Sequence, residues 1–245
     1  MDIRETSPFG ITLTESADAL RLGTDSLLLS AYIKKQSLDS ALEIGAGSGI
    51  ISLLLARRGC FKKIHAAEIQ GELFDLLEKN VKANGFGEII APVNADIRTF
   101  NPELCKGIKV VFSNPPYMKT DSGKASPLDC KQISRHEVNG GVFEFCAAAA
   151  RLLKTGGRLY LVYRPDRLDS LMHALKANGF APKRMTFVHA DTVHAPSSVL
   201  CEATLNGGEQ LRITRPLFLN DGENQSEDCR FIYENGVFPD DFFIK

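Results

Sequence analysis

A glycine-spaced turn between a strand-like and a helix-like apolar run constrains the fold of this chain most. Residues Ala41–Ile44 lead into Gly45-Ala46-Gly47-Ser48-Gly49, and the apolar segment Ile50–Ala56 follows. Glycine tolerates backbone angles that other residues rarely adopt, so the chain can turn tightly and approach a ligand closely. A helix that begins at such a turn also presents unpaired N–H groups to that ligand. The pattern predicts a strand-turn-helix unit of an α/β protein.

Strand-like and helix-like segments continue to alternate after this unit. Apolar runs indicate four further strands, at residues 64–69, 92–96, 109–112 and 158–163. Such alternation is typical of a parallel sheet with helices on both faces. Two more runs, 185–189 and 199–205, are predicted to add an antiparallel hairpin. We expect an α/β fold with a doubly wound, mostly parallel seven-stranded sheet, a short N-terminal cap at 1–36 and a main domain at 37–245.

The N-terminal cap is predicted to consist of a hairpin and one helix. Apolar and polar residues alternate at 11–14 and again at 19–22, which indicates a short hairpin. Apolar residues then recur at helical spacing as far as Ile33, and Thr24 or Asp25 is placed to cap that helix. The turn-rich C-terminal tail gives no clear assignment.

The composition is that of an ordinary globular chain, and it disfavours two classes of protein, those that coat nucleic acid and those that span a membrane. The chain carries 29 Lys and Arg against 30 Asp and Glu, so its formal net charge is −1. Bulk charge therefore does not hold nucleic acid, and any such partner needs a local basic patch. No apolar run approaches the roughly 20 residues of a membrane-spanning helix, and the polar N-terminus lacks a signal-type apolar core. We expect a cytoplasmic protein without a membrane partner, either a monomer or a weak homodimer.

Neither the cysteines nor the histidines indicate a metal site. The six cysteines form no Cys-x-x-Cys pair, which favours free thiols in a reducing compartment. His189, Asp191 and His194 are irregularly spaced and lack a fourth ligand. We therefore expect no bound metal.

The residues around the glycine turn indicate the kind of ligand that it holds. The dinucleotide fingerprint needs a glycine or alanine where Ile50 stands, and no P-loop Gly-Lys-Ser/Thr follows, so phosphate binding is disfavoured. Glu43, Glu68 and Asp96 are predicted to end neighbouring strands, with Glu68 placed to bind ribose hydroxyls. Each acid alone could be a solvated side chain. Together they are expected to place three carboxylates around one crevice, which suits an adenosine with a cationic group.

The tetrapeptide Asn114-Pro115-Pro116-Tyr117 stands where the apolar run 110–112 ends. Two consecutive prolines stop a strand or helix and stiffen the backbone, although a plain tight turn is the alternative interpretation. At the carboxyl end of a strand, an amide and an aromatic ring favour a pocket for a flat polar group. The amide oxygen and the first proline's carbonyl can accept the two N–H groups of a base amine, while the tyrosine stacks on the base.

A long polar segment at 118–141 follows the tyrosine and shows no periodicity. Loops of this length inside a compact domain are usually functional or disordered. We interpret the segment as a substrate lid whose basic side chains contact RNA phosphates, namely Lys119, Lys124, Lys131 and Arg135. A solvated loop without a partner is the alternative, because acidic residues are mixed with the basic ones.

The order of these motifs resembles the class I S-adenosylmethionine-dependent methyltransferases that act on amino groups. The glycine turn follows the first strand, Glu68 the second, Asp96 the third and Asn114-Pro115-Pro116-Tyr117 the fourth. The resemblance covers about residues 42–163. It implies a Rossmann-like fold and S-adenosyl-L-methionine as the cofactor.

The resemblance also implies roles for individual residues. Glu43 and the glycines would support the amino acid part of the cofactor, Glu68 would bind its ribose, and Asp96 would face its adenine amine. The implied cofactor-binding residues are Glu43, Gly45, Gly47, Gly49, Glu68, Ile69, Asp96, Ile97 and Asn114. The implied catalytic residues, which would hold the methyl acceptor, are Asn114, Pro115, Pro116 and Tyr117.

Two further segments resemble a narrower group, the bacterial adenine-N6-methyltransferases that modify the anticodon loop of a valine tRNA. They are Leu-Gly-Thr-Asp-Ser-Leu-Leu-Leu at 22–29 and Arg-Pro-Leu-Phe-Leu at 215–219. This narrower resemblance implies methylation of the N6 amine of an adenosine in tRNA, and it adds Thr24 and Asp25 to the cofactor pocket. Other acceptors stay open at this point, namely a guanine amine of ribosomal RNA or a glutamine amide of a protein. A cofactor-sensing module without turnover also stays open.

Overall fold

The protein is built around one central sheet of parallel and antiparallel strands. A computed structural model describes residues 3–6, 8–16, 23–37, 39–100, 107–115 and 141–243. The α-helices in these ranges are α1 Thr24–Tyr32, α2 Ile50–Arg57, α3 Gly71–Ala83, α4 Val142–Leu152, α5 Leu168–Ala177 and α6 Glu227–Asn235. Short 3₁₀ helices span Pro8–Gly10, Pro165–Arg167 and Asp240–Phe243.

Strands are distributed over the whole described chain. The first seven are β1 Ile3–Thr6, β2 Leu13–Ser16, β3 Ser40–Ile44, β4 Lys63–Glu68, β5 Ile90–Asn94, β6 Ile108–Ser113 and β7 Arg158–Tyr163. The remaining strands are β8 Phe180–His189, β9 Pro196–Leu205, β10 Arg212–Ile213, β11 Leu217–Phe218, β12 Asn220–Asp221 and β13 Asn224–Gln225.

The central sheet has the strand order β10-β8-β9-β7-β6-β3-β4-β5, and β11 also pairs with β8. Strands β3 to β7 run parallel, while β9 is antiparallel to both β7 and β8. The seven predicted strands are all present as β3 to β9, and the predicted hairpin is β8–β9. Two strands of two residues each, β10 and β11, extend the sheet to nine strands. They come from the tail that the sequence left unassigned.

Alternating side chains of the buried strands build two cores, one on each face of the sheet. In β6, Val110 and Phe112 belong to the core that contains α1, α2 and α3, whereas Val111 belongs to the core that contains α4 and α5. In β7, Tyr160 and Leu161 divide in the same way. Because successive side chains of a strand point to opposite faces, helices cover both faces of this sheet. The doubly wound fold predicted from the sequence is confirmed.

The N-terminal segment differs from its prediction in two details. Strand β2 pairs antiparallel with β1, in the register Ile3↔Ser16 and Thr6↔Leu13. The second half of the predicted hairpin, residues 19–22, lies outside the described part of the chain, within the gap at 17–22. Helix α1 has Gly23 as its N-cap without a side-chain cap, so Thr24 and Asp25 lie in the first turn instead of capping it. The sequence pattern located strand β2 and helix α1, but it predicted neither β1 nor the N-cap at Gly23.

The C-terminal tail packs on the main domain through aromatic rings. Phe242 is 1% exposed, and its ring centroid lies 4.9 Å from that of Phe238. The guanidinium of Arg215 lies 4.3 Å from the centroid of the Phe242 ring. Nearby, the guanidinium of Arg184 lies over two rings, 3.9 Å from the centroid of Tyr32 and 4.1 Å from that of Phe243. These contacts fix the tail against helix α1 and strand β8.

A buried ion pair anchors the same region. Arg184 and Glu202, on the neighbouring strands β8 and β9, are 5% and 6% exposed, and their side chains lie 2.9 Å apart. Arg184 also donates to the backbone carbonyl of Tyr32. A buried charge is tolerated when it is paired and hydrogen-bonded, so the pair ties α1 to the antiparallel end of the sheet.

The expectations about cysteines, membrane-spanning helices and metal sites can be compared with the described residues. Cys60, Cys146, Cys201 and Cys229 are buried free thiols. None of the helices in the described ranges has the length and apolar character needed to cross a membrane. Among the same residues, no group of three or more His, Cys, Asp or Glu side chains could hold a metal ion.

We predict that Phe242→Ala lowers the free energy of unfolding by about 3–5 kcal/mol, because truncating a fully buried ring leaves a cavity. Phe143→Ala is the matched control, since Phe143 is 44% exposed. Urea denaturation followed by circular dichroism measures both variants. Equal stability of the two variants would show that the tail is not packed on the domain.

Candidate active site

The carboxyl ends of β5, β4, β3 and β6 lie side by side and form one edge of the sheet. Ile44 pairs with Ala67, and Glu68 pairs with Asn94, so the strands end at nearly the same level. The chain moves outward from β3 in one direction to β4 and β5, and in the other direction to β6 and β7. A crevice at such a reversal is where open α/β sheets bind ligands. The predicted glycine turn, Glu68, Asp96 and Asn114 all lie at this edge.

The glycine turn is held by backbone hydrogen bonds and requires its glycines. The N–H groups of Gly45 and Ala46 donate to the carbonyl of Ala67 at 2.9 and 3.0 Å. Gly45, Gly47 and Gly49 have φ angles of 70°, 56° and 85°, which L side chains rarely adopt. A Cβ atom added at Gly49 would lie 2.3 Å from Leu77 Cδ1, so this glycine allows close helix packing.

Gly47 differs from its neighbours because the space beside it is open. A Cβ atom added at Gly47 would have no neighbour within 4 Å. Its φ of 56° disfavours other residues all the same. Open space beside a turn that begins a helix is what a ligand approaching the backbone requires. The turn therefore offers a surface for a bound molecule.

Glu68 connects the end of β4 to the glycine turn. Its Oε2 atom accepts the Gly47 N–H at 2.8 Å, and its Oε1 atom accepts the Gln70 N–H at 2.8 Å. The Asn94 side chain donates to the Glu68 carbonyl at 3.1 Å. A carboxylate has about four lone-pair positions, so each oxygen of Glu68 can accept a further hydrogen bond from a ligand hydroxyl. The residue is both part of the turn and a candidate ribose ligand.

Glu43 does not face the crevice, which corrects the expectation of three carboxylates around it. The side chain is 1% exposed, and its Oε2 atom accepts hydrogen bonds from the N–H, at 3.1 Å, and the hydroxyl of Ser52. Ser52 lies in the first turn of α2, where N–H groups lack partners within the helix. Burial raises the pKa of Glu43 to about 8, although the bonds from Ser52 oppose this rise. Glu43 holds helix α2 in place beneath the turn.

Asp96 lies at this edge of the sheet and is paired with the guanidinium of Arg98. Arg98 donates to both carboxylate oxygens, with Nε–Oδ1 at 2.9 Å and Nη2–Oδ2 at 2.6 Å. These hydrogen bonds lower the pKa of Asp96 and keep it ionised. Arg151 of α4 donates to the carbonyls of Ile97 and Arg98 and so fixes the loop. The field at the edge is therefore less negative than the sequence predicted.

Asn114 follows β6 directly and is held by a bond of the preceding Ser113 and by a bond of its own side chain. Ser113 Oγ donates to the carbonyl of Ile44 at 2.8 Å, which joins the end of β6 to the residue before the glycine turn. The Asn114 Nδ2 atom donates to Ser26 Oγ in α1 at 3.0 Å. Pro115 is buried, while Pro116 and Tyr117 lie outside the described residues. The four lid residues predicted to bind substrate also lie outside them, as does 118–140 as a whole.

The remaining implied cofactor residues lie near the same edge. Thr24 and Asp25 occupy the first turn of α1. The same turn contains Ser26, which accepts a hydrogen bond from Asn114. The Thr24 hydroxyl lies 3.3 Å from the Tyr233 hydroxyl of α6. Ile69 follows β4 with 37% of its surface exposed, and Ile97 follows Asp96 with 8% exposed. An exposed apolar side chain at a strand end is suited to a flat ring of a ligand.

Sequence reasoning missed several polar residues that shape the site. Asn80 is fully buried in α3, accepts the Thr14 N–H at 2.7 Å, and donates to the carbonyls of Thr14 and Ser48. It therefore links the N-terminal hairpin to the glycine turn. An asparagine beside Leu77 and Val81 on the apolar face of a helix was the available signal, since buried polar groups need partners.

Three further residues were missed as well, namely Ser26, Ser113 and Arg98. The two serines stand in otherwise apolar segments, and Arg98 stands two residues after the predicted Asp96. No periodic pattern distinguishes a buried serine that bonds a distant segment from one that bonds its own helix. Their partners become visible only when distant segments are folded together.

The described residues fit an adenosine-type cofactor with a cationic group. Gly47 leaves open space at the turn, Glu68 has remaining acceptor capacity, and Asp96 offers an ionised carboxylate one strand further along. No P-loop Gly-Lys-Ser/Thr pattern follows the turn in the sequence. This combination of sheet order, glycine turn and acidic strand ends defines a class I methyltransferase.

Solved structures share this fold. A protein from Agrobacterium tumefaciens described as a predicted O-methyltransferase matches with a TM-score of 0.70 and 16% identity, over 88% of this chain and 98% of its own. The TYW2 protein of M. jannaschii, solved with AdoMet, matches with a TM-score of 0.55 and 15% identity, over 83% of this chain and 86% of its own. The predicted class I methyltransferase fold is confirmed.

Sequence relatives identify the family. The profile of the TRM5/TYW2 methyltransferase domain matches residues 31–120. Proteins named tRNA1(Val) (adenine(37)-N6)-methyltransferase are 33% identical in Phocaeicola vulgatus, over 74% of this chain and 76% of that protein, and 31% identical in Tolumonas auensis, over 74% and 75%. The Dyadobacter fermentans protein of the same name is 26% identical over 90% of both chains. The chain belongs to the tRNA1(Val) (adenine(37)-N6)-methyltransferase family, which confirms the resemblance in its motifs.

The raised pKa of Glu43 generates a test of its position. Its folded-state pKa lies above the usual value, so its contribution to stability is present below about pH 4.5 and is lost as the pH rises towards about 8. Glu43→Gln stays neutral and keeps an acceptor for Ser52. We predict that the variant gains about 2–4 kcal/mol of unfolding free energy relative to wild type between about pH 5 and pH 8.

Urea denaturation at both pH values measures this difference. Glu88→Gln, at an exposed glutamate, is the control and should show no such trend. A constant difference between Glu43→Gln and wild type across the range would contradict the buried, protonated state of Glu43.

Proposed function

We propose that the protein transfers a methyl group from S-adenosylmethionine to the N6 amine of adenosine 37 in the anticodon loop of a valine tRNA. The names of its relatives support this substrate, since they specify adenine 37 of tRNA1(Val). The observation that carries the proposal is the placement of Asn114 beside the glycine turn, at the reversal point of the sheet. The site thus puts an amide acceptor next to a candidate cofactor surface.

The cofactor would be held by the residues at the carboxyl ends of β3, β4 and β5. The glycine turn offers backbone and open space, Glu68 offers acceptors for ribose hydroxyls, and Asp96 offers an acceptor for an adenine amine. Thr24, Asp25, Ile69 and Ile97 complete the proposed set. When bound, S-adenosylmethionine supplies an electrophilic methyl group on a positively charged sulfur.

Asn114 and Pro115 would activate the acceptor amine by hydrogen bonding. The amine of adenine is a poor nucleophile because its lone pair is delocalised into the ring. If the Asn114 side-chain oxygen and the Pro115 carbonyl accept its two N–H groups, the nitrogen is biased towards a tetrahedral shape with a directed lone pair. No separate general base is needed to form the bond, and the surplus proton leaves afterwards to solvent.

Substrate binding would rest on elements beyond the described residues. An enzyme that acts on a base first removes it from the stack, and an aromatic face such as Tyr117 can receive it. The basic lid residues at 119, 124, 131 and 135 remain predicted phosphate contacts. Family membership favours adenine over a guanine amine or a protein glutamine. A tRNA substrate supports a cytoplasmic location, and a monomer or weak homodimer remains our prediction.

We predict that Asn114→Ala lowers the rate of methyl transfer to a valine tRNA transcript by roughly 100-fold or more, because an acceptor at the reacting amine is lost. Binding of S-adenosylhomocysteine, measured by titration calorimetry, is expected to change little. The rate is measured with labelled S-adenosylmethionine and nucleoside analysis.

Asn178→Ala is the matched control for this prediction. Asn178 ends helix α5 just before β8 starts, at the opposite edge of the sheet, where its side chain bonds the Ala174 carbonyl. This variant should methylate tRNA at the wild-type rate. An Asn114→Ala protein that methylates tRNA at the wild-type rate would contradict the proposed mechanism.

A further inference from the structure

A buried serine of helix α1 contacts the proposed catalytic asparagine. Ser26 is 8% exposed, and its hydroxyl oxygen accepts a hydrogen bond from Asn114 Nδ2 at 3.0 Å. The two residues are 88 positions apart in the chain, so the contact exists only because α1 packs beside the end of β6. None of the roles proposed above includes Ser26.

The contact matters because an asparagine amide has two different ends. Its oxygen accepts hydrogen bonds and its NH₂ group only donates. If the amide were turned over, the NH₂ group would face the N–H groups of the base amine, and neither side could accept. A hydroxyl can accept or donate. Here the Ser26 hydroxyl accepts from Nδ2, and this bond holds the amide with the Asn114 oxygen facing away from α1.

The support of Ser26 is rigid, which a positioning contact requires. All residues from Ser26 to Tyr32 are buried in α1. Arg58 donates to the carbonyl of Ser30 at 2.6 Å, and the Thr24 hydroxyl lies 3.3 Å from that of Tyr233. Helix α1 is thus fixed both at its first turn and one turn further along. Because helix α1 is fixed in this way, the position of Ser26 is fixed as well.

Two serines therefore hold Asn114 in complementary ways. Ser113 bonds the Ile44 carbonyl and sets the backbone of the segment relative to the glycine turn. Ser26 bonds the side chain itself. We propose that Ser26 is a positioning residue that selects the reactive orientation of the Asn114 amide. This inference rests on the function proposed above, in which the Asn114 oxygen accepts from the target amine.

The test compares Ser26→Ala with Ser30→Ala in single-turnover methyl transfer to the valine tRNA transcript. Ser30 is a matched control, because it is also buried in α1 but its hydroxyl bonds the Leu27 carbonyl. Ser26→Ala should lower the single-turnover rate about 5- to 10-fold, the size of one lost hydrogen bond. Ser30→Ala should leave the rate unchanged, and Ser26→Thr, which retains a hydroxyl, should recover most of it.

Affinity and stability separate a positioning role from other roles. For Ser26→Ala, the Kd of S-adenosylhomocysteine by calorimetry and the KM for tRNA should stay within about 2-fold of wild type, with the loss confined to kcat. A wild-type rate in Ser26→Ala would overturn the proposal. An equal loss of rate and of S-adenosylhomocysteine affinity would also overturn it, since Ser26 would then be a cofactor ligand.

A double-mutant cycle with Asn114→Asp provides a second measurement. A carboxylate has two acceptor oxygens, so it has no wrong orientation for Ser26 to exclude. Ser26→Ala should therefore cost less than about 2-fold in the Asn114→Asp background. The same loss in both backgrounds would contradict a role in amide orientation. If wild-type protein leaves the tRNA unlabelled, the proposed function fails; if wild type labels it and Ser26→Ala is equally active, only the role of Ser26 fails.

Discussion

The hydrogen bond from Ser113 to the Ile44 carbonyl joins the two halves of the site, and the rest of the site depends on that junction. Ile44 is the last residue before the glycine turn, and Ser113 is the last before Asn114. Parallel strands bring such ends to one edge, but strand pairing alone leaves the loops beyond it free to vary. A side-chain bond across the reversal point fixes the spacing between the proposed cofactor surface and the proposed acceptor of the substrate amine.

Buried polar groups carry much of this organisation. Asn80 bonds the glycine turn and the N-terminal hairpin, Glu43 bonds the first turn of α2, and Ser26 bonds Asn114. Each would be costly inside the protein without its partner, so each specifies one arrangement of the segments around it. The aromatic tail acts at longer range, because Tyr233 and Phe243 contact the helix that carries Ser26. The proposed catalytic edge is therefore supported from the N-terminal hairpin and from the C-terminal tail.

Sequence patterns predicted the repeated features well and the individual contacts poorly. Buried strands have apolar runs, so the five parallel strands and the antiparallel pair β8–β9 were located, and glycines followed by an apolar helix located the turn. The tail strands β10 and β11 were missed because they depend on pairing with β8, which is distant in sequence. Strand β1 and the N-cap at Gly23 are local features that the pattern did not reveal. Glu43 was placed at the correct strand end, yet its side chain points to α2, since period-2 alternation decides its face. Arg98, which neutralises Asp96, gave no periodic signal.

The most direct test of this account is the identity and position of the methylated nucleoside. The purified protein is incubated with S-adenosylmethionine and a valine tRNA transcript, and the digested RNA is analysed by mass spectrometry. The account predicts N6-methyladenosine at position 37, the position in the names of the relatives, and no methylation when guanosine replaces that adenosine. Methylation of a guanine amine, or of protein instead of RNA, would contradict it.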